Sequence, residues 1–237
     1  MAFRPARRAE SSAKRDMEQL ISSQWVSERL ERHGIPLPAE ASGRLACYLR
    51  LLQKWNAKVN LTAIRDVEAS FKRNFVESLW LLKGLELKGK LLDVGSGAGF
   101  PGLVLKAAVP ELQVTLLEPV AKKRAFLAEV GRECLGGAFE IRSGRLEEFG
   151  RQGALYDFIT ARAVGQLPAL IRQAAALLAG EGRICLWISQ RQAWELKAGP
   201  PGVEVERLIR LPTGDETLIW VGRRKNVSRE TFGSLKP

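Results

Sequence analysis

The sequence predicts an α/β fold, a mostly parallel seven-stranded sheet with an antiparallel last strand, preceded by an N-terminal helical extension. Three observations carry this. After Lys90, short apolar runs alternate with helix-period segments, as expected of strands joined by right-handed helical crossovers. The first of those runs, Leu91-Leu92-Asp93-Val94, opens directly into a glycine-rich turn. Before residue 82 the apolar spacing is helical and carries no strand signal.

Taken in order, residues 17–85 form the extension. Leu45, Leu49 and Leu52 share one face, as do Tyr48, Leu52, Trp55 and Val59, spacings that belong to a helix. Pro36 and Pro38 stand where one helix ends and the next begins. Phe71, Phe75, Leu79 and Leu82 mark a third helix. Strands follow at 91–94, 114–118, 139–142, 156–160 and 183–188, with helices at about 101–109, 121–134 and 166–178. Runs so continuously apolar suit a sheet covered on both faces. Segments 203–211 and 217–221 flank Pro212-Thr213-Gly214-Asp215 and pair as an antiparallel hairpin. The expected units are a basic disordered tail (1–16), the extension (17–85), an α/β domain (86–223) and a basic C-terminal tail (224–237).

The 237 residues are 46% hydrophobic and 27% charged, which excludes disorder throughout and a fibrous repeat. No apolar run approaches the roughly 20 residues of a membrane span, and the Arg-rich start lacks the apolar stretch of a secretory signal. Cys47, Cys134 and Cys185 are odd in number and widely spaced. They predict neither a disulfide framework nor a zinc site, and a cytoplasmic location. The net charge is +11. Residues 1–16 carry five basic and two acidic side chains, and residues 222–237 five and one, so the tails hold seven of the eleven excess charges. Such a balance favours a polyanionic partner. A solvated basic surface is the bland alternative.

The sharpest motif is Asp93-Val94-Gly95-Ser96-Gly97-Ala98-Gly99-Phe100-Pro101-Gly102. Glycines between a strand and a helix let the backbone approach a ligand closely. The dinucleotide pattern read from Gly95 fails at Phe100, and read from Gly97 it contains Pro101. Asp93 before the loop suits the cationic methionine end of S-adenosyl-L-methionine, through water or backbone groups. Glu118 ends the next strand, where an acid accepts the two ribose hydroxyls of an adenosine ligand.

These residues belong to a wider set. Lys54-Trp55-Asn56, Asn60-Leu61-Thr62, Arg65-Asp66, the 93–102 loop, Glu118 with Lys122-Lys123-Arg124 and Phe126-Leu127, Arg145-Leu146-Glu147-Glu148-Phe149 and Thr160-Ala161-Arg162-Ala163-Val164 follow one another over about residues 40–190. In this the chain resembles the bacterial small-subunit ribosomal RNA guanine-N7 methyltransferases, the RsmG or glucose-inhibited division protein B family. The resemblance implies a class I (Rossmann-like) methyltransferase fold, S-adenosyl-L-methionine as donor, and 16S rRNA or the small ribosomal subunit as partner. The implied target is a guanine N7 at position 527, in the 530 loop. It also implies that Gly95 and Phe100 contact the donor with Asp93, Gly97, Gly99 and Glu118, that Leu146 and Glu147 line its adenine end, and that Arg162 sits where donor meets substrate. Arg145 faces the target, so Arg162 and Arg145 are the catalytic candidates. Asn74 stands where the family usually has a histidine, Glu77 keeps the nearby acid, and Ile188-Ser189 replaces a lysine-glycine pair. Arg191 is a candidate to compensate.

The chemistry agrees. His33 is the lone histidine, and guanine N7 carries a lone pair and no proton, so direct in-line transfer needs no histidine base. Removing Arg162 is expected to cut methylation severely and leave the fold intact. Trp25, Trp80, Trp194 and Trp220 are expected to be packing residues, with stacking on a base the alternative for any that is exposed, and Trp55 and Asn60 to fix the extension against the α/β domain. Neither a metal nor a membrane is expected as partner, and a monomer suffices. An inactive RNA-binding assembly factor, a small-molecule methyltransferase and an NAD-dependent oxidoreductase are the competing classes.

Overall fold

The computed structural model describes residues 20–137, 139–149, 155–214 and 216–225. The expected tail at 1–16 lies outside these residues, as does most of that at 224–237. Helix α1 spans Ser23–Arg32, its start capped by Ser22, whose Oγ accepts from Trp25 N at 3.1 Å. Helix α2 spans Ala39–Asn56 and begins directly after Pro38. A third helical run, α3, is Val67–Ser70, a π-helical turn at Phe71–Val76, Glu77–Leu79 and a 3₁₀ turn at Trp80–Lys83.

The sheet contains β1 (Lys90–Val94), β2 (Gln113–Leu117), β3 (Glu140–Arg142), β4 (Tyr156–Arg162), β5 (Leu178–Ser189), β6 (Val203–Arg210) and β7 (Thr217–Arg224). Its order is β3-β2-β1-β4-β5-β7-β6. The first five strands pair in parallel, and β7 runs antiparallel to both neighbours. Between the strands lie α4 (Gly102–Ala108), α5 (Ala121–Val130, continued by a π-helical turn at Gly131–Leu135), α6 (Leu146–Phe149), α7 (Leu167–Ala176) and α8 (Gln190–Glu195). The short helices α6 and α8 were not anticipated, and β5 starts five residues earlier than its sequence pattern indicates.

Alternation along the strands divides the core. Leu91 and Leu116 face a cluster with Leu45, Leu49, Phe75, Leu103 and Phe126, built from α1 to α5. Leu92 and Leu117 face a second cluster with Leu146, Leu170, Ala193 and Trp220, built around α6 to α8. The helical extension is therefore one of the two layers that cover the sheet. Trp55 serves this contact as expected, edge-on to Phe126 at 5.5 Å. Asn60 does not, since its Oδ1 accepts only a local bond from Arg65. The organising amide is Asn56, whose Oδ1 accepts from Leu61 N and Thr62 N, both at 3.0 Å.

Two further expectations are corrected. Cys47 of α2 and Cys134 of the α5 extension form a disulfide, with Cα atoms 5.6 Å apart and a sequence separation of 87. Sequence spacing does not reveal a pair formed by helix packing; Cys185 is free and buried. Trp220 is fully buried, and Trp25 and Trp80 are half-buried, but Trp194 is 70% exposed. Its helix turns Ala193 and Leu196 to the core instead.

Candidate functional site

In open parallel sheets ligands bind beyond the carboxyl ends of the strands, where the order reverses. Here β1 continues to β2 and β3 on one side while β4 and β5 lie on the other, so the reversal falls between β1 and β4. The glycine loop leaves β1 at that point. Asp93 pairs with Thr160 and Val94 with Ala161, and the same register continued by one residue sets Gly95 beside Arg162. A depression of about 480 Å³ bordered by Lys90, Gln113, Glu140 and Tyr156 lies at the opposite, amino ends of the strands.

The loop is held from below, behind and the side. Gly95 N and Ser96 N donate to Leu117 O at 2.8 and 3.2 Å. Asp93 is fully buried; its carboxylate accepts from Thr160 Oγ1 at 2.7 Å and Gly102 N at 3.2 Å. Burial pushes Asp93 up to about 6, against the hydrogen bonds from Thr160, Ser96 and Gly102, with Glu118 adding to the rise. Each Asp93 oxygen thus has a partner inside the protein, and the carboxylate ties the loop to β4 and to the start of α4. Glu118, also buried, accepts from Gly97 N with one oxygen and Val120 N with the other, both at 2.8 Å. Arg124 donates to Glu118 O at 2.9 Å and braces the strand end.

Tyr48 supplies the support that sequence reading missed as a site residue. Its hydroxyl donates to Ala98 O, and its ring stacks on Phe100 at 5.7 Å and meets Phe75 edge-on at 5.1 Å. Burial drives the phenol well above its ordinary value, with Asp93 adding to the rise. A Cβ at Gly99, where φ is +92°, would collide with that hydroxyl. Gly97, at φ +59°, is the contrary case: a Cβ there would meet nothing closer than Gly95 O at 3.8 Å. The top of the loop is an open cradle, and Glu118 keeps unused lone pairs beside it. This donor set fits an adenosine-bearing ligand.

Arg162 is anchored by α3. Its guanidinium donates to Glu77 Oε2 at 2.8 Å and to Arg73 O at 2.6 Å. Glu77 is fully buried, also pairs with Arg73 at 3.0 Å, and its carbonyl accepts from Trp187 Nε1 at 2.9 Å. Burial pulls Arg162 below its ordinary value while Glu77 opposes the shift and Arg73 adds to it. Removing Arg162 takes one cation from a buried carboxylate, so the expectation that the fold would be untouched does not follow. Asn74 sits on the π-helical turn, buried, donating to Ser70 Oγ at 3.3 Å. Such turns recur at functional sites. Just after Arg162, Ala163 and Gln166 adopt φ of 54° and 52°, a backbone strain that persists only where surroundings enforce it. Val164 of the same turn faces Gly95.

The remaining candidates divide. Leu146 is buried in the second core cluster, while Arg145 and Glu147 are exposed at the start of α6. Arg145 lies between β3 and α6, and α6 packs beside α7, the helix that follows β4. Phe100 is drawn into the aromatic cluster with Tyr48 and Phe75. Ile188 is buried, and Ser189 caps α8 through a reciprocal bond with Gln192. Among the described residues no cluster of three or more His, Cys, Asp or Glu is placed to hold a metal ion, and no helix is long and apolar enough to cross a membrane.

Comparison with known proteins matches residues 42–213 to the GidB family model, described as rRNA small subunit methyltransferase G. A ribosomal RNA small subunit methyltransferase G from Methylobacillus flagellatus is 38% identical over 168 residues, 71% of this chain and 80% of that protein. Another, from Halorhodospira halophila, is 39% identical over 176 residues, 74% of this chain and 83% of that one. Among solved structures, a ribosomal protein L11 methylase from Lactobacillus delbrueckii subsp. bulgaricus superposes with a TM-score of 0.52 at 17% identity, covering 63% of this chain and 77% of that one. That likeness shows the class I methyltransferase fold.

Proposed function

The chain belongs to the GidB family, rRNA small subunit methyltransferase G, and on that premise we propose that it methylates N7 of one guanine, position 527, in the 530 loop of 16S rRNA. It is an enzyme of the S-adenosylmethionine-dependent class. The observation that carries the reading is the register that sets Arg162, anchored on Glu77, beside the glycine loop coupled to Glu118.

The cradle of Gly95, Gly97 and Gly99 would hold the donor's methionine end through backbone groups, with Asp93 and Phe100 keeping the loop in shape. Glu118 would accept the ribose hydroxyls, and Leu146 with Glu147 would border the adenine. S-adenosylmethionine, when bound, supplies an electrophilic methyl group. Guanine N7 offers a lone pair and no proton, so the protein needs no base, and the lone histidine, His33, serves as the C-cap of α1. Orientation is then the main contribution, worth up to about 7–11 kcal/mol in well-aligned systems. Positive charge grows on the purine during transfer, so a cation against N7 would oppose it. An arginine fork commonly takes both O6 and N7 of guanine. With Glu77 and Arg73 O holding two of its donors, Arg162 has fewer to offer, which suits a single bond to O6 or a phosphate. Arg145, exposed at the start of α6, would hold a phosphate. Such a substrate would place the enzyme in the cytoplasm, and a monomer suffices for the chemistry.

The test is methyl-labelled S-adenosylmethionine with small subunits lacking this modification, beside naked 16S rRNA and fully modified subunits. Label confined to unmodified RNA, at one N7-methylguanine in the 530 loop, is the expected result. Saturable donor binding with no label on any RNA would overturn it.

A further inference from the structure

Trp194 is the most exposed large hydrophobic side chain among the described residues, at 70%. It is not a loose surface residue. Ala193 and Leu196 on either side of it are buried at 3% and 7%, and the reciprocal Ser189–Gln192 cap fixes the start of the helix. A rigid element therefore holds the indole outward. Lys197 Nζ stands 4.0 Å from the ring centroid, over one face. Arg191, with an 89% exposed side chain, pairs with Glu195 at 3.1 Å on the same helix. The other exposed large hydrophobics, Leu20, Val120, Leu155 and Leu208, lie on other elements, so the indole is an isolated aromatic among charges and not part of an apolar patch.

Its place in the fold matters as much as its exposure. Trp187 pairs across the sheet with Arg162, and the chain then runs two strand residues and five helical residues to Trp194. That path is at most about 20 Å, a span of a few nucleotides. An enzyme that acts on a base within folded RNA works on nucleotides removed from their stack. Neighbouring bases then need a new surface, and an aromatic face flanked by cations supplies one irrespective of base identity.

We propose that Trp194, flanked by Lys197 and Arg191, is a stacking platform for an unpaired base of the RNA close to the target guanine. This rests on the RNA methyltransferase reading above. The net charge of +11 agrees with an RNA occupant, and a protein partner would bury Lys197 and Arg191 at a cost in desolvation.

The test measures steady-state methylation of naked 16S rRNA and of unmodified small subunits by the wild type, Trp194→Ala and Trp194→Phe. Donor binding to each, followed by calorimetry, verifies that the variants are folded. Trp194→Ala is expected to raise KM for RNA about tenfold, far more than it lowers kcat, on both substrates. Trp194→Phe, which keeps a ring, should recover most of the loss. Because removing an aromatic releases no counterion, the salt dependence of RNA binding should keep its wild-type slope. Wild-type KM for Trp194→Ala on naked RNA would overturn the assignment. So would a defect confined to assembled subunits, which would mark a protein contact instead. Absence of methylation by the wild-type enzyme would instead bear on the underlying activity.

Discussion

Glu77→Gln tests whether the buried carboxylate is what positions Arg162. The substitution keeps the side chain's shape and one acceptor but removes the charge shared by two guanidinium groups, at 2.8 Å from Arg162 and 3.0 Å from Arg73. Breaking a buried ion pair from one side costs about 3–5 kcal/mol, because the partner's charge stays behind. Glu77 is fully buried, but the side chains of Arg162 and Arg73 are 16% and 34% exposed, so water recovers part of that cost. We therefore place the loss at about 3 kcal/mol. For a chain of this size that lowers Tm by about 6–12 °C. Urea unfolding followed by tryptophan fluorescence measures the loss directly. A double-mutant cycle with Arg162→Met should give a coupling energy above about 1.5 kcal/mol, and turnover should fall while donor affinity holds. A loss under about 1 kcal/mol together with zero coupling would refute the reasoning, since the two side chains would then not be acting on one another.

Two other expectations follow from the same neighbourhood. Tyr48→Phe removes the donor to Ala98 O and should cost about 1–2 kcal/mol, with calorimetry showing S-adenosylmethionine binding weakened about three- to tenfold; unchanged affinity would show that the loop keeps its shape without the tether. Asp93 has a folded-state value of about 6 against an ordinary 3.8, so the folded protein holds this proton more tightly than the unfolded chain. That contribution is complete below about pH 4 and is lost as pH rises through about 6, amounting to about 3 kcal/mol. The stability difference between Asp93→Asn and the wild type should therefore shift by about that amount in the variant's favour between pH 4 and 7, and a difference that stays flat across this range would count against a strained carboxylate.

Those residues also show where sequence reading stops. The strands, their parallel pairing and the final hairpin were legible because apolar runs, glycine turns and helical spacing are local signals. The glycine loop and Glu118 stood out in the sequence for the same reason, each lying at a strand end, and the structure joins them through Gly97 N. Glu77 and Arg162 are 85 residues apart, and nothing in either neighbourhood announces their contact, which depends on α3 docking over β4. Tyr48 reads as one more apolar position on α2, and its hydroxyl finds Ala98 only when α2 covers the sheet. Cys47 and Cys134 look unrelated until two helices meet. Trp194 reads first as a packing residue because aromatic residues usually pack, whereas the short helix that carries it turns its neighbours inward. Helices α6 and α8, of four and six residues, are too short for periodicity to register.

The covering of the sheet by α1 to α3 has a consequence for synthesis. Leu45, Leu49 and Leu52 of α2 bury themselves against partners such as Leu103, Leu116 and Phe126, all of which are made later. At about 5–20 residues per second, the ribosome takes roughly 4–15 s to extend the chain from the end of α2 to the end of α5. Throughout that interval an apolar helical face waits in the open for the strands it will cover. The newborn amino-terminal segment is thus a stage at which uncovered apolar surface favours misassociation.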